Sequence, residues 1–179
     1  WSRNLINLFV SPLKISEIII ALTCTALIRT LIGLIPAVLI AIPLFGISLM
    51  DLGLPLLLLL FSLYLFGITL GLLVTAGLVR FGPSFENIAW ASLFFIAPLG
   101  CIYYPVEILP NWLQVVALAL PLAHIFEETR SILITNTVDY VNIYNALALN
   151  LVYLSIALLT FYRSFKTAKI KGSLINVGE

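Results

Sequence analysis

Charge is what this sequence has least of. Lys, Arg, Asp and Glu make up 9% of its 179 residues, against 62% hydrophobic. A soluble domain carries about 25% charged residues, and a water-soluble fold of this length has too little interior for so much apolar surface. Disorder is excluded by the same composition. A mean hydropathy of +1.16 points to lipid as the solvent. The net charge of +1 provides no field to draw nucleic acid. Histidine occurs once and cysteine twice, and Cys24 and Cys101 both sit inside apolar runs, so neither a disulfide framework nor a Cys/His metal site is expected. No Gly-x-x-x-x-Gly-Lys-Ser/Thr loop is present, so the chain does not bind and hydrolyse ATP in the usual way. No Ser/His/Asp or Cys/His set suggests a nucleophile. The one methionine is Met50 and the first residue is Trp1; a longer N-terminal part is expected before it, and the opening residues lack the order of a cleavable signal.

What is present is apolar length. Crossing a bilayer takes about 20 apolar residues in a helix, and backbone polar groups in lipid must be paired within the segment. The fold class is therefore all-α integral membrane, a polytopic helical bundle with a re-entrant helical hairpin. Membrane helices are expected at 15–47, 54–79, 85–102 and 141–162. The first is longer than a bilayer needs and carries Arg29. Either it is tilted with Arg29 facing the protein interior, or the part before Arg29 lies near the interface; the first arrangement is the expectation. Pro36 and Pro43 should kink it. Gly67-x-x-x-Gly71 in the second can admit a close helix neighbour, or be glycines facing lipid.

The stretch 103–126 is apolar but punctuated by Pro105, Pro110 and Pro121, which a straight spanning helix tolerates badly. Two short helices that enter the membrane and return fit better, and such a hairpin must be buried in protein or line a cavity. Charge agrees. With four crossings, Arg3, Lys14, Arg80 and the basic tail 163–179 share one side, the cytoplasmic side by the enrichment of Lys and Arg there. The other side holds Asp51, Glu107, Glu127, Glu128, Arg130 and Asp139. Both ends of the chain are thus expected in the cytoplasm.

Few residues carry chemistry. Arg29 is the one charge expected deep in the membrane, and arginine does not release protons, so energy for any transport comes from elsewhere. His124 is expected to be a hydrogen-bonded structural residue. Glu127, Glu128, Arg130 and Asp139 fall in a polar link after the hairpin. Glu127 and Arg130 are three apart, which on a helix places them on one face; either they are two solvated charges at the interface, or they hold the hairpin against the last helix and so set the outer gate. Residues 1–14 read as an amphipathic cytoplasmic helix, with Leu5, Ile6, Leu8, Phe9 and Leu13 on its apolar face and Pro12 ending it. It can anchor at the interface or touch a cytoplasmic partner. A secondary carrier or channel independent of ATP is the alternative reading, and a membrane scaffold a third; the scarcity of membrane carboxylates speaks against the carrier.

Three stretches bear a family resemblance. They are Asn4-Leu5-Ile6-Asn7-Leu8-Phe9-Val10-Ser11-Pro12-Leu13, followed by Glu17; Arg80-Phe81-Gly82-Pro83 with Glu86-Asn87-Ile88-Ala89-Trp90; and Tyr103-Tyr104-Pro105-Val106-Glu107-Ile108-Leu109-Pro110-Asn111-Trp112-Leu113 with Leu120-Pro121-Leu122-Ala123-His124-Ile125-Phe126-Glu127 and Arg130. Together they resemble the membrane subunits of ABC-2 type ABC exporters. The family usually has an acidic residue where Arg3 stands. The resemblance implies a permease lacking its first two helices, paired with a second copy or a paralogue in a bacterial inner membrane. It implies no cofactor in this chain, with ATP and Mg on a partner ATPase. Arg3, Asn4, Asn7, Leu8, Phe9, Ser11 and Pro12 would form the coupling helix against that ATPase. Tyr103, Tyr104, Pro105, Pro110, Trp112, Pro121, Glu127 and Arg130 would belong to the hairpin that caps the path on the outer side.

Overall fold

A computed structural model describes residues 14–45, 53–82, 84–135 and 137–171. Among them the chain is helical throughout. In order come α1 (Ile15–Phe45), α2 (Gly53–Phe81), α3 (Phe85–Leu99), a 3₁₀ turn (Val106–Ile108), α4 (Asn111–Leu118), α5 (Pro121–Thr135) and α6 (Tyr140–Lys171). α1, α2 and α6 are long and apolar enough to cross a membrane. Their 29 to 32 residues span about 43–48 Å at 1.5 Å per residue, more than the roughly 30 Å of hydrocarbon.

The bundle is built on α2 and α6, which pack along their length. Near one end Leu72 and Ala76 of α2 meet Ala157, Phe161 and Phe165 of α6. Near the other, Leu59 joins Ile125 and Ile132 of α5 and Ile143 and Ala146 of α6. Small residues let the backbones approach, which is how helices gain contact where lipid offers no hydrophobic drive. Between the two clusters lies a polar knot. Asn150 Nδ2 donates to Ser62 Oγ at 2.7 Å and to Ser62 O at 2.9 Å, and both residues are fully buried. Asn150→Ala should therefore cost about 1–2 kcal/mol, the range of interhelical hydrogen bonds in model membrane peptides, in reversible unfolding from mixed micelles. Ser62→Ala should cost less, because the backbone carbonyl of Ser62 still accepts.

The last helix runs further than the expected 141–162. Arg163 and Lys166 are helical, and Ser164, Phe165 and Ala168 are buried. The first part of the basic tail is thus the final turns of α6, held by the packing of Phe161 and Phe165 on α2. The third helix is shorter than the expected 85–102. It stops at Leu99 after 15 residues, about 22 Å. Pro98 precedes Gly100 there, and Cys101 turns the chain with φ 53°. The α2–α3 turn uses Gly82 at φ 79°, whose N–H reaches Leu78 O at 2.9 Å, a left-handed helix stop that a side chain would strain. Phe81 and Phe85 stack across it at 5.8 Å.

α1 starts where expected, at Ile15, and departs from the expectation in the place of Arg29. Pro36 and Pro43 lie inside a helix that continues through both. Arg29 is exposed rather than turned inward, because α1 touches the described residues only lightly. Among its described residues Ile18 is the buried one, and a side-chain bond from Tyr64 Oη to Thr23 O at 2.7 Å ties it to α2. Gly67 and Gly71 face open space, so the close helix neighbour is not among the described residues.

Candidate functional site

Among the described residues the segment expected as a hairpin gathers a network of polar contacts. Pro110 starts α4, with its carbonyl taking the N–H groups of Leu113 and Gln114. Pro121 occupies the first position of α5, where its missing N–H costs nothing. The chain turns from α4 into α5 over Ala119 and Leu120, where the Leu120 N–H donates to Ala117 O at 2.9 Å. Cys101, Val106, Ala117 and Ala123 form their buried core, with Tyr104 and Leu109 against it. Gly100 lets the chain lie flat on α5. A Cβ there would come within 2.9 Å of Leu122 Cβ. The outer surface of the hairpin is apolar and exposed, with Tyr103, Ile108, Trp112 and Val115 each about 70–80% accessible.

Glu127 and Arg130 lie inside α5 rather than in a link after it, since the helix continues to Thr135. Arg130 Nη1 donates to Glu127 Oε1 at 2.7 Å. The same oxygen accepts the N–H of Val106 at 2.8 Å, and Arg130 Nη2 donates to Cys101 O at 3.1 Å. The pair thus grips both ends of the segment 101–106 that leads into the 3₁₀ turn. It does not reach the last helix. That contact belongs to Glu128, which points the other way. Glu128 is fully buried; its Oε1 accepts the N–H of Asp139 at 2.7 Å and its Oε2 the side-chain amide of Asn142 at 3.2 Å. Asp139 Oδ1 in turn accepts the N–H of Val141 at 2.9 Å, the bond an N-cap makes.

The remaining expected residues find quieter places. Tyr104 Oη donates to Pro98 O at 2.8 Å. Pro105 precedes the 3₁₀ turn, and Pro121 is buried. Tyr103 and Trp112 face outward. His124 Nε2 lies 2.9 Å from Leu118 O, and Nδ1 lies 3.5 Å from Asn142 Oδ1, so the histidine is hydrogen-bonded to the end of α4. Arg3, Asn4, Asn7, Leu8, Phe9, Ser11 and Pro12 fall outside the described residues.

Cys101 and Gln114 were invisible as site residues in the sequence. Gln114 Nε2 donates to Leu109 O at 2.7 Å, closing the turn. Burial, and after it the charge of Glu127, pushes the Cys101 thiol above its ordinary range, with Arg130 opposing. A buried thiol held protonated reacts slowly. Cys101 should therefore resist maleimide at pH 8 in the folded protein, where the exposed Cys24 reacts, and react on unfolding, read by mass spectrometry of the two peptides; modification of Cys101 in the folded chain would contradict the buried turn.

Among the described residues no cluster of His, Cys, Asp and Glu could hold a metal ion. The arrangement is one of hydrogen bonds and an ion pair. It fastens a short apolar hairpin, by carboxylates and one guanidinium, to the end of a membrane bundle. Residues 2–134 match the sequence model of the family described as ABC-2 type transporter. No curated protein and no solved structure matches the chain.

Proposed function

Because the chain belongs to the ABC-2 type transporter family, we propose that it is the membrane-spanning permease subunit of an ATP-driven exporter, lining the substrate path and driven by a separate ATPase. The observation that carries this reading is the extent of the match. Residues 2–134 include both the amphipathic N-terminal segment and the clamped hairpin. In this reading residues 1–14 are the coupling helix seated on the ATPase, where ATP and Mg are bound. ATP does work only if the ATPase favours one arrangement of the permease over another, and that preference passes through this contact. A second copy or a paralogue completes the path. The hairpin enters the outer leaflet and returns, its exposed Tyr103, Ile108 and Trp112 in lipid or against the second subunit. Among the described residues the membrane helices carry acidic residues only in their first turns, Glu17 in α1 and Glu86 in α3, and α2 and α6 carry none, which favours an external energy source over an ion-coupled carrier.

The test is substitution of Leu8 or Phe9 by Asp in the permease with its ATPase. A charge on the apolar face should abolish co-purification and reduce ATP turnover to that of the free ATPase. Normal values for both would end the coupling role. The reading also places both ends in the cytoplasm of a bacterial inner membrane. In a chain with Cys24 and Cys101 replaced by Ala, an impermeant thiol reagent on intact cells should label Tyr103→Cys and spare Lys169→Cys. Labelling at 169 without lysis would overturn the four-crossing arrangement, in which α3, the short 15-residue helix, is the third to cross.

A further inference from the structure

Glu127 and Glu128 are neighbours on one helix, yet they serve different neighbours, because successive residues on a 3.6-residue helix point about 100° apart. Glu127 faces the segment entering the hairpin and takes the N–H of Val106. Glu128 faces the start of α6 and takes the N–H of Asp139 and the amide of Asn142. Its place is costly. The residue is 0% exposed, and its bonding partners carry no positive charge. Burying a carboxylate without a cation is expensive, and an apolar residue of similar volume would avoid the desolvation. What the carboxylate gains there is direction. One oxygen accepts from the residue that caps α6 and the other from its first turn, at the positive end of that helix dipole. The amide of Asn142, oriented by donating to Glu128, presents its oxygen to His124, whose far nitrogen meets Leu118 O at the end of α4.

We propose that Glu128 is a positioning residue for transport, fastening α6 to α5 so that movement of the last helix reaches the hairpin turn through the adjacent Glu127. The inference rests on the permease reading above and deepens it. α5 is then a bar gripped at one point from two sides. A shift of the α6 start moves Glu128. Because Glu127 is one residue away on the same rigid helix, the shift bears on Val106 and, through Arg130, on Cys101. Apolar packing of Ile125 and Ile132 on Ile143 and Ala146 holds the helices together, but such contacts allow sliding that two directed bonds to a carboxylate resist.

The test is amide hydrogen exchange on the permease–ATPase complex in nanodiscs, read at peptides covering 106–109 and 139–142. Glu128→Gln keeps the shape but offers one acceptor and one donor where two acceptors are needed. Protection at 139–142 should fall about tenfold, as loss of a hydrogen bond to a charged group implies, and protection at 106–109 should fall with it. Asn142→Ala, which spares the bond to Asp139, should produce a smaller fall at both. Glu128→Gln combined with Asn142→Asp exchanges donor for acceptor and should restore protection at both peptides. A residue that merely stabilises the α6 start would change 139–142 alone, so unchanged protection at 106–109 in Glu128→Gln overturns the proposal, as does failure of the exchanged pair to restore it. Should Glu128→Gln not fold, Asn142→Ala decides by the same two peptides. The permease reading is judged separately, by whether the wild-type chain holds its ATPase at all.

Discussion

Arg130→Glu should release the hairpin from the bundle and lower transport more than any other single change among the described residues. The substitution does three things at once. It removes the bond from Nη2 to Cys101 O, it removes the partner of Glu127, and it places a second carboxylate one helical turn from the first. The side chains are 24% and 29% exposed, so the pair lies between two regimes. Exposed pairs contribute about 0.2–1 kcal/mol, whereas breaking a buried pair costs about 3–5 kcal/mol. A loss of about 2–3 kcal/mol follows for this half-buried site. Glu127→Arg should cost a similar amount for a different reason, since no oxygen then remains for the Val106 N–H. The exchanged pair, Glu127→Arg with Arg130→Glu, should recover only part of the loss. It restores the attraction between the two side chains but presents donors to Val106 and an acceptor to Cys101 O, both the wrong way round. Transport by the complex in vesicles and thermal unfolding of the permease measure the two consequences. Wild-type values for both single variants would leave two solvated charges and no clamp.

The limits of what the sequence disclosed follow from what carries each signal. Hydrophobic length is written residue by residue, so α1, α2 and α6 could be placed to within a few residues at most of their ends. The prolines at 105, 110 and 121 likewise announced the break into short helices, because their effect on the backbone is local. The end of α3 was not legible. It depends on Gly100 fitting against Leu122 and on Cys101 turning at φ 53°, contacts made with a helix twenty residues later. The far end of α6 is hidden in the sequence because Arg163 and Lys166 look like a soluble tail, while Phe161 and Phe165 continue to pack on α2. Glu127 and Arg130 could be paired from their spacing of three. That they hold residues 101–106, and that Glu128 holds α6, could not be read from spacing, since both partners lie 11 to 29 positions away. The expectation that Arg29 turns inward rests on charge avoiding lipid. That argument says a partner is needed without saying which segment supplies it, and the described residues supply none.

Gly100→Val should cost the folded hairpin nearly as much as loss of Arg130, without touching a charge. The glycine has an ordinary conformation, φ −74° and ψ 0°, so space rather than strain demands it. A Cβ at 100 would stand 2.9 Å from both Leu122 Cβ and Leu122 Cδ1, and 3.2 Å from Ile96 O. The Cδ1 atom can rotate away; the Cβ is fixed to the backbone of α5, and Ile96 O belongs to the backbone of α3. Relief therefore requires α3 and α5 to move apart. Overpacking of this kind costs about 1–3 kcal/mol, and valine, with two further methyl groups, belongs at the upper end. The consequence travels one residue. Cys101 follows Gly100, and its carbonyl is the acceptor for Arg130, so spreading the two helices also lengthens that bond. The variant should unfold at lower temperature than wild type and, unlike wild type, expose the Cys101 thiol to maleimide. Leu122→Ala in the same chain removes Cδ1 but not Cβ, so it should return only part of the lost stability, with a measurable coupling between the two sites. A Gly100→Val protein that unfolds at the wild-type temperature with its thiol still protected would show that the chain at 100 does not lie against α5.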